Sequence, residues 1–270
     1  MEKDKIEVPK PKNPESLCDQ FLNFVEIVKL LRIHCPWDRK QTNESIAPLL
    51  IEEAYETISA IENRNDRDFL EELGDLFLHI VMHSVMAEER GAFNLVDVLK
   101  KIQEKLVFRH PHVFSSTEVN GEEEVLKNWE ELKQKEGKSS VLEGVPINLP
   151  SLLRAERIQY KASRVGFDWE KREDVMAKVL EEFEELKIAI ENEENLDKVE
   201  EEFGDLLFAL VNYARFLGIS PEIALQKTNN KFIRRFQTIE DYAKRNNKNL
   251  SEMTLSEMDA IWNRTKSSER

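Results

Sequence analysis

The sequence predicts an all-α protein built from two tandem copies of one helical unit. Three observations predict it. Apolar residues recur every three to four positions along nearly the whole chain, with almost no alternating, strand-like stretch. Turn formers are scarce, with 8 glycines and 9 prolines in 270 residues, about 3% each against a usual ~7% and ~5%. Landmarks also repeat in order. Trp37 and Trp169 lie 132 residues apart, and Trp129 and Trp262 lie 133 apart. Glu53-Ala-Tyr-Glu56 returns as Glu182-Phe-Glu-Glu185 at an offset of 129, and Glu72-Leu-Gly-Asp75 as Glu202-Phe-Gly-Asp205 at 130. This order marks an internal duplication, with a period too long for a solenoid repeat.

The periodicity predicts first-copy helices at about 16–33, 44–62, 67–90, 95–109 and 122–135. In the second copy they fall at about 150–163, 174–191, 196–217, 221–245 and 255–267. Asn94 with Asp97 three residues on suits a helix start. Pro111 closes the fourth helix, because the residue before proline avoids the α region. Ser220-Pro221-Glu222 supplies a capping hydroxyl, a first-turn proline and an acid in the order that opens a helix. Two glycines and two prolines crowd the stretch from Gly137 to Pro150, which is a linker composition. The domains are therefore expected at 1–136 and 151–270, joined by 137–150.

Charge and composition exclude several function classes. A net charge of −14 opposes non-specific nucleic-acid binding and anionic membrane surfaces. No run approaches the ~18 apolar residues of a membrane span, and the first residues lack the apolar core of a signal peptide. Cys18 and Cys35 are the only cysteines and form no CxxC pair. The expectation is a cytoplasmic protein without membrane or nucleic-acid partners.

A lone ExxE carries little information here, since 53 acids in 270 residues give roughly ten i,i+3 acid pairs by chance. Position on the helix changes the odds. At about 100° per residue, Lys178, Glu182 and Glu185 fall within about 60° of arc beside an apolar stripe of Val179, Leu180, Phe183, Leu186 and Ile190. Lys198, Glu202 and Asp205 fall at the same angles beside the stripe of Val199, Phe203, Leu206, Leu207, Leu210 and Ala214. A short polar turn joins the two helices, so they are expected as antiparallel neighbours whose acid stripes share one groove.

Four carboxylates in one groove need shared protons or a bound cation. An all-oxygen ligand set suits Mg²⁺, Mn²⁺ or Ca²⁺, and the flanking lysines suit an anion such as a phosphate chain. Lys231-Phe-Ile-Arg234-Arg235 adds three cations within five residues, and arginine forks match phosphate oxygens. Trp262 offers a face on which a base could stack. His79 and His83 follow Asp75 at i+4 and i+8 but meet Ala209 and Tyr213 in the second copy, so they read as structural. His110-Pro-His112 reads as a helix end. No GxxxxGK[ST], GxGxxG or GxSxG occurs.

Together with the acid stripes, four segments resemble the MazG family of all-α nucleoside triphosphate pyrophosphohydrolases, in the tandem two-domain form. They are Cys35-Pro-Trp-Asp38 with Gln41-Thr42, Glu71-Glu-Leu-Gly-Asp75, Arg109-His-Pro-His-Val-Phe114 and Val165-Gly-Phe-Asp-Trp169. The resemblance covers nearly the whole chain. It implies hydrolysis of nucleoside triphosphates to monophosphate and pyrophosphate with Mg²⁺ (Mn²⁺ substituting), through a metal-activated water attacking the α-phosphorus. It implies metal ligation by Glu182, Glu185, Glu202 and Asp205, with Glu181 or Glu185 taking the water's proton. Nucleotide contacts are implied for Lys178, Val179, Leu180, Glu181 and Glu182, and for Lys198, Val199, Glu200, Glu201 and Asp205. Lys231, Phe232, Ile233, Arg234, Arg235 and Trp262 complete that implied set. The family further implies a helix-bundle core completed by pairing of subunits, as a homodimer or higher oligomer.

The two copies are expected to be unequal. Glu53, Glu56, Glu72 and Asp75 could hold a second metal, but Leu49 and Asp68 stand where the second copy has Lys178 and Lys198. The first copy is therefore expected to be weakly active or inactive. Two competing functions fit parts of the pattern. One is a non-catalytic helical scaffold; the other is a pyrophosphohydrolase dedicated to one nucleotide, such as dUTP or phosphoribosyl-ATP.

Overall fold

A computed structural model describes residues 6–121, 124, 125, 128, 129, 132 and 140–268. The described chain is mostly helical, and no strand occurs among these residues. It divides into two compact units, Met1–Glu118 and Val119–Arg270. No single helix among the described residues is long and apolar enough to cross a membrane.

The first unit opens with α1 (Leu17–His34), where the Ser16 side chain accepts from the Asp19 amide. A 3-10 turn at Asp38–Lys40 leads to α2 (Asn43–Glu62), started by a reciprocal Thr42–Ser45 capping box. Then come α3 (Asp66–Glu89), α4 (Leu95–Arg109), with the expected Asn94–Asp97 capping box, and one short turn, α5 (Pro111–Phe114). These side chains take up amide groups that a helix start otherwise leaves unpaired. Val28, Ile46, Val81, Met82, Val85 and Met86 form the core of this unit. Of the expected helix at 122–135, only Glu124, Val125, Asn128, Trp129 and Leu132 are described, all of them helical; the rest lies outside the described residues.

Arg32 fastens the turn after α1. It is 8% exposed, donates from Nε and Nη2 to Glu89 at 3.0 and 2.6 Å, and donates from Nη1 to the carbonyls of Asp38 and Gln41. Arg32→Met leaves two carbonyls and a carboxylate without that donor. It is expected to lower unfolding stability by about 1–3 kcal/mol, read as a shifted denaturant midpoint; an unmoved midpoint would dismiss the clamp. The Arg32 hydrogen bond holds Glu89 below the usual carboxylate range. The unfolded chain therefore binds that proton first, so this contribution is complete at neutral pH and fades as pH falls through the lowered folded value.

In the second unit the helices are α6 (Ser151–Ser163), α7 (Arg172–Glu191), α8 (Leu196–Phe216), α9 (Pro221–Arg245) and α10 (Leu255–Ser268). The segment before α6 packs with this unit: Lys161, 6% exposed, donates from Nζ to the carbonyls of Val141 and Glu143 at 3.1 and 2.7 Å. Asn195 caps α8. Ser220 departs from expectation, because its side chain does not cap α9. Its hydroxyl turns instead to the Glu156 carboxylate at 3.3 Å. Ile239, Ala243, Met253 and Ile261 form a core between α9 and α10.

The hairpin of α7 and α8 buries only part of its apolar stripes. Val179 and Leu186 are buried, whereas Leu180, Phe183, Ile190, Phe203, Leu207 and Leu210 stay exposed. Within this unit these side chains leave an apolar face of α7 and α8 uncovered.

Candidate active site

The site grows from helical periodicity. Residues three apart share a face, so Glu182 and Glu185 on α7 point toward the stripe of Glu202 and Asp205 on α8. Carboxylate oxygens of Glu182, Glu185 and Glu202 come within 4.8 Å of one another. Glu182 and Glu202 are each 7% exposed. Asp205 stands beside them and lines the same groove. Burial, then the charges of Glu182 and Glu202, push the carboxyls of Glu185 and Asp205 above their usual range.

Two lysines edge the groove in matching fashion. Lys178 Nζ lies 2.7 Å from both Glu181 and Glu182, and Lys198 Nζ lies 2.9 Å from Glu201 and 2.6 Å from Glu202. Each lysine thus binds one exposed and one buried carboxylate. Hydrogen bonds from Lys178 to Glu181 and Glu182 push its pKa further up, as do those from Lys198 to Glu202 and Glu201. Even with this compensation, Glu182 Oε2 is buried with no hydrogen-bond partner. A buried carboxylate oxygen without a donor is costly unless a ligand satisfies it. Oxygen donors clustered in this way fit a hard cation such as Mg²⁺ or Mn²⁺.

A second cavity, of about 410 Å³, shares Lys178, Glu182 and Asp205 with the acidic groove. Its other walls are largely apolar and include Leu142, Trp169, Val175 and Phe208, with Gln159 and Asn212 as buried polar members. The sequence reading missed this chamber. The available signals were two polar residues on otherwise inward-facing positions: Gln159 on α6, and Asn212 following the apolar run from Leu206 to Val211.

Other expected residues lie elsewhere. Lys231–Arg235 and Trp262 line neither the groove nor the cavity. The Arg235 guanidinium stacks over Trp262 at 5.6 Å, and Phe232 meets the same ring at 5.1 Å, against the α9–α10 core. Val179 is buried, while Leu180 and Glu200 are exposed.

In the first unit, Glu53, Glu56 and Glu72 also bring carboxylate oxygens within 4.8 Å. Burial, with the neighbouring acids Asp75 and Glu56 next, raises the carboxyls of Glu53 and Glu72. His79 and His83 do not join that cluster. They are buried or half-buried, and His83 Nδ1 lies 2.7 Å from the Asn43 amide.

Comparison with known proteins places the sequence among named relatives. The family described as the MazG nucleotide pyrophosphohydrolase domain matches residues 41–114 and 170–239. A Thermotoga maritima protein named nucleoside triphosphate pyrophosphohydrolase/pyrophosphatase MazG is 44% identical over 251 residues, covering 91% of this chain and 95% of that one. An Escherichia coli K12 protein named nucleoside triphosphate pyrophosphohydrolase is 40% identical over 256 residues, covering 93% and 97%. The crystal structure of a MazG-related protein from Thermotoga maritima aligns with a TM-score of 0.38 at 26% identity, over 42% of this chain and 98% of that one.

Proposed function

Since the chain belongs to the MazG nucleotide pyrophosphohydrolase family, we propose that its second repeat hydrolyses nucleoside triphosphates to the monophosphate and pyrophosphate with Mg²⁺. The observation that carries this reading is the unpartnered, buried Oε2 of Glu182 inside a lysine-edged carboxylate cluster. Glu182, Glu185, Glu202 and Asp205 would hold the ion, with Mn²⁺ an acceptable substitute. When bound, Mg²⁺ offsets charge on the phosphates and lowers the pKa of a water placed for attack at the α-phosphorus.

The chain's own groups supply the rest. Lys178 and Lys198 can each keep the buried partner, Glu182 or Glu202, and exchange the exposed one, Glu181 or Glu201, for a phosphate oxygen. They thereby hold the polyphosphate and stabilise charge on the departing pyrophosphate. Glu185 is exposed, which suits it to receive the water's proton when it is not fully used as a ligand. Glu181 suits that role less, because Lys178 already holds it at 2.7 Å. The uncovered apolar face of α7 and α8 supports assembly as a dimer or higher oligomer. Such assembly is also the route by which Lys231–Arg235 and Trp262 of one copy could reach a nucleotide held by another.

ATP incubated with the protein and Mg²⁺ is expected to give AMP and pyrophosphate in equal amounts, separated by ion-exchange chromatography. Formation of ADP and orthophosphate would overturn the assignment. Repeating the assay across a panel of triphosphates separates a broad enzyme from one dedicated to a single nucleotide.

A further inference from the structure

Gln159 presents an oxygen that nothing in the chain satisfies. Its side chain on α6 is 7% exposed. Its Nε2 donates to the Phe208 carbonyl of α8 at 2.8 Å, and only the NH2 end of an amide can face a carbonyl in this way. The opposite end, Oε1, is therefore fixed as an acceptor, and it is buried with no partner. Gln159 lines the chamber of about 410 Å³ beside the acidic groove.

Asn212 follows Phe208 by one turn of α8 and lines the same chamber, 5% exposed. Its Oδ1 accepts from Arg215 Nε at 3.0 Å and Nη2 at 2.8 Å. Arg215 is in turn held by Asp168 through two bonds of 2.9 and 2.5 Å. The amide of Asn212 is thus oriented as firmly as that of Gln159, and its nitrogen is the end left to offer. Between apolar walls that include Val175, Phe208 and Trp169, Gln159 and Asn212 give the chamber a preset acceptor and a preset donor, beside the charged groups that it shares with the groove.

We propose that Gln159 Oε1 and Asn212 Nδ2 read the hydrogen-bonding edge of the nucleobase whose phosphates lie in the acidic groove. This rests on the triphosphate reading of that groove. Adenine and cytosine offer an amine beside a ring nitrogen, and guanine and uracil offer a ring N–H beside a carbonyl. Each presents a donor for Gln159 and an acceptor for Asn212, so the pair admits every common base and discriminates against one lacking the donor. The discrimination comes from the buried oxygen, which has no partner in the free chain and gains one only when an N–H arrives.

The test compares two ligands by calorimetric titration of the full chain: AMP and purine riboside 5′-monophosphate, which keeps the ring nitrogens and lacks the amine. AMP is expected to bind about ten- to hundredfold more tightly. Gln159→Met is expected to weaken AMP by the same factor and leave purine riboside monophosphate unchanged, a pattern that general loosening of the pocket would not give. Equal wild-type affinities, no measurable AMP binding, or equal losses for both ligands in the variant would overturn the proposal. Should Gln159→Met fail to fold, the wild-type pair alone decides. Because monophosphate binding is read without turnover, a chain that distinguishes the two ligands yet releases no pyrophosphate from ATP would defeat the functional reading and spare this one.

Discussion

Glu202→Gln is expected to cut pyrophosphate release from ATP at least about a hundredfold, the scale on which metal sites respond when their ligand environment is broken. The same variant is expected to melt within about 4 °C of wild type, a shift corresponding to roughly 1 kcal/mol in a domain of this size. The contrast follows from the crowding of Glu182, Glu185 and Glu202 within 4.8 Å. Removing one negative charge relieves repulsion that raises the carboxyls of Glu185 and Asp205, while glutamine keeps the volume and Lys198 keeps Glu201 at 2.9 Å. Pyrophosphate assays and thermal melting check both halves. Mg²⁺ is also expected to raise the wild-type melting temperature and to do so less in the variant, since an ion bound only by the folded state stabilises it by mass action. Near-normal turnover in Glu202→Gln would place the reaction elsewhere.

The second large effect is an asymmetry between the repeats. The pair Glu53→Gln and Glu72→Gln in the full chain is expected to leave ATP turnover within about twofold, whereas Glu182→Gln with Glu202→Gln abolishes it. Two observations support the difference. Leu49 and Asp68 replace Lys178 and Lys198, so the first groove loses two positive charges and gains a negative one. At ~4 Å and an effective dielectric near 20, each change is worth at most a few kcal/mol, about a hundredfold in binding. The chamber lining also differs in residue type: Ala209 and Asn212 line it in the second repeat, and at an offset of 130 the first repeat has the larger His79 and the apolar Met82. Equal losses from the two double variants would refute the asymmetry.

The carboxylate cluster was legible in the sequence because its information is local. A 3.6-residue period places Glu182, Glu185, Glu202 and Asp205 on facing stripes, and a short polar turn brings the stripes together. The lysine pairing was legible as proximity, though not as the double contact that Lys178 and Lys198 each make. The chamber was hidden because it forms only when α6 docks on α8, and no periodicity within either helix reports that docking. Trp262 is ambiguous in the sequence for a related reason. An aromatic residue near a helix end can stack on a ligand or on a neighbouring helix, and here its partners within the chain are Phe232 and Arg235. The apolar stripes of α7 and α8 are legible as faces for burial, yet Phe183 and Phe203 remain more than half exposed at 54% and 53%, because periodicity marks a face without saying which chain buries it.

The hold of Lys161 on the carbonyls of Val141 and Glu143 bears on where the second domain can be cut. At the matching position of the first repeat, Lys29 forms an ordinary exposed ion pair with Glu88 at 2.8 Å. In the second repeat the lysine is buried against the segment that leads into α6, and Leu142 of that segment forms part of the chamber wall. A copy excised at its first helix would expose a buried ammonium and open the chamber on one side. The connecting segment thus belongs structurally to the domain it leads into, as a lid on its lysine and a wall of its chamber.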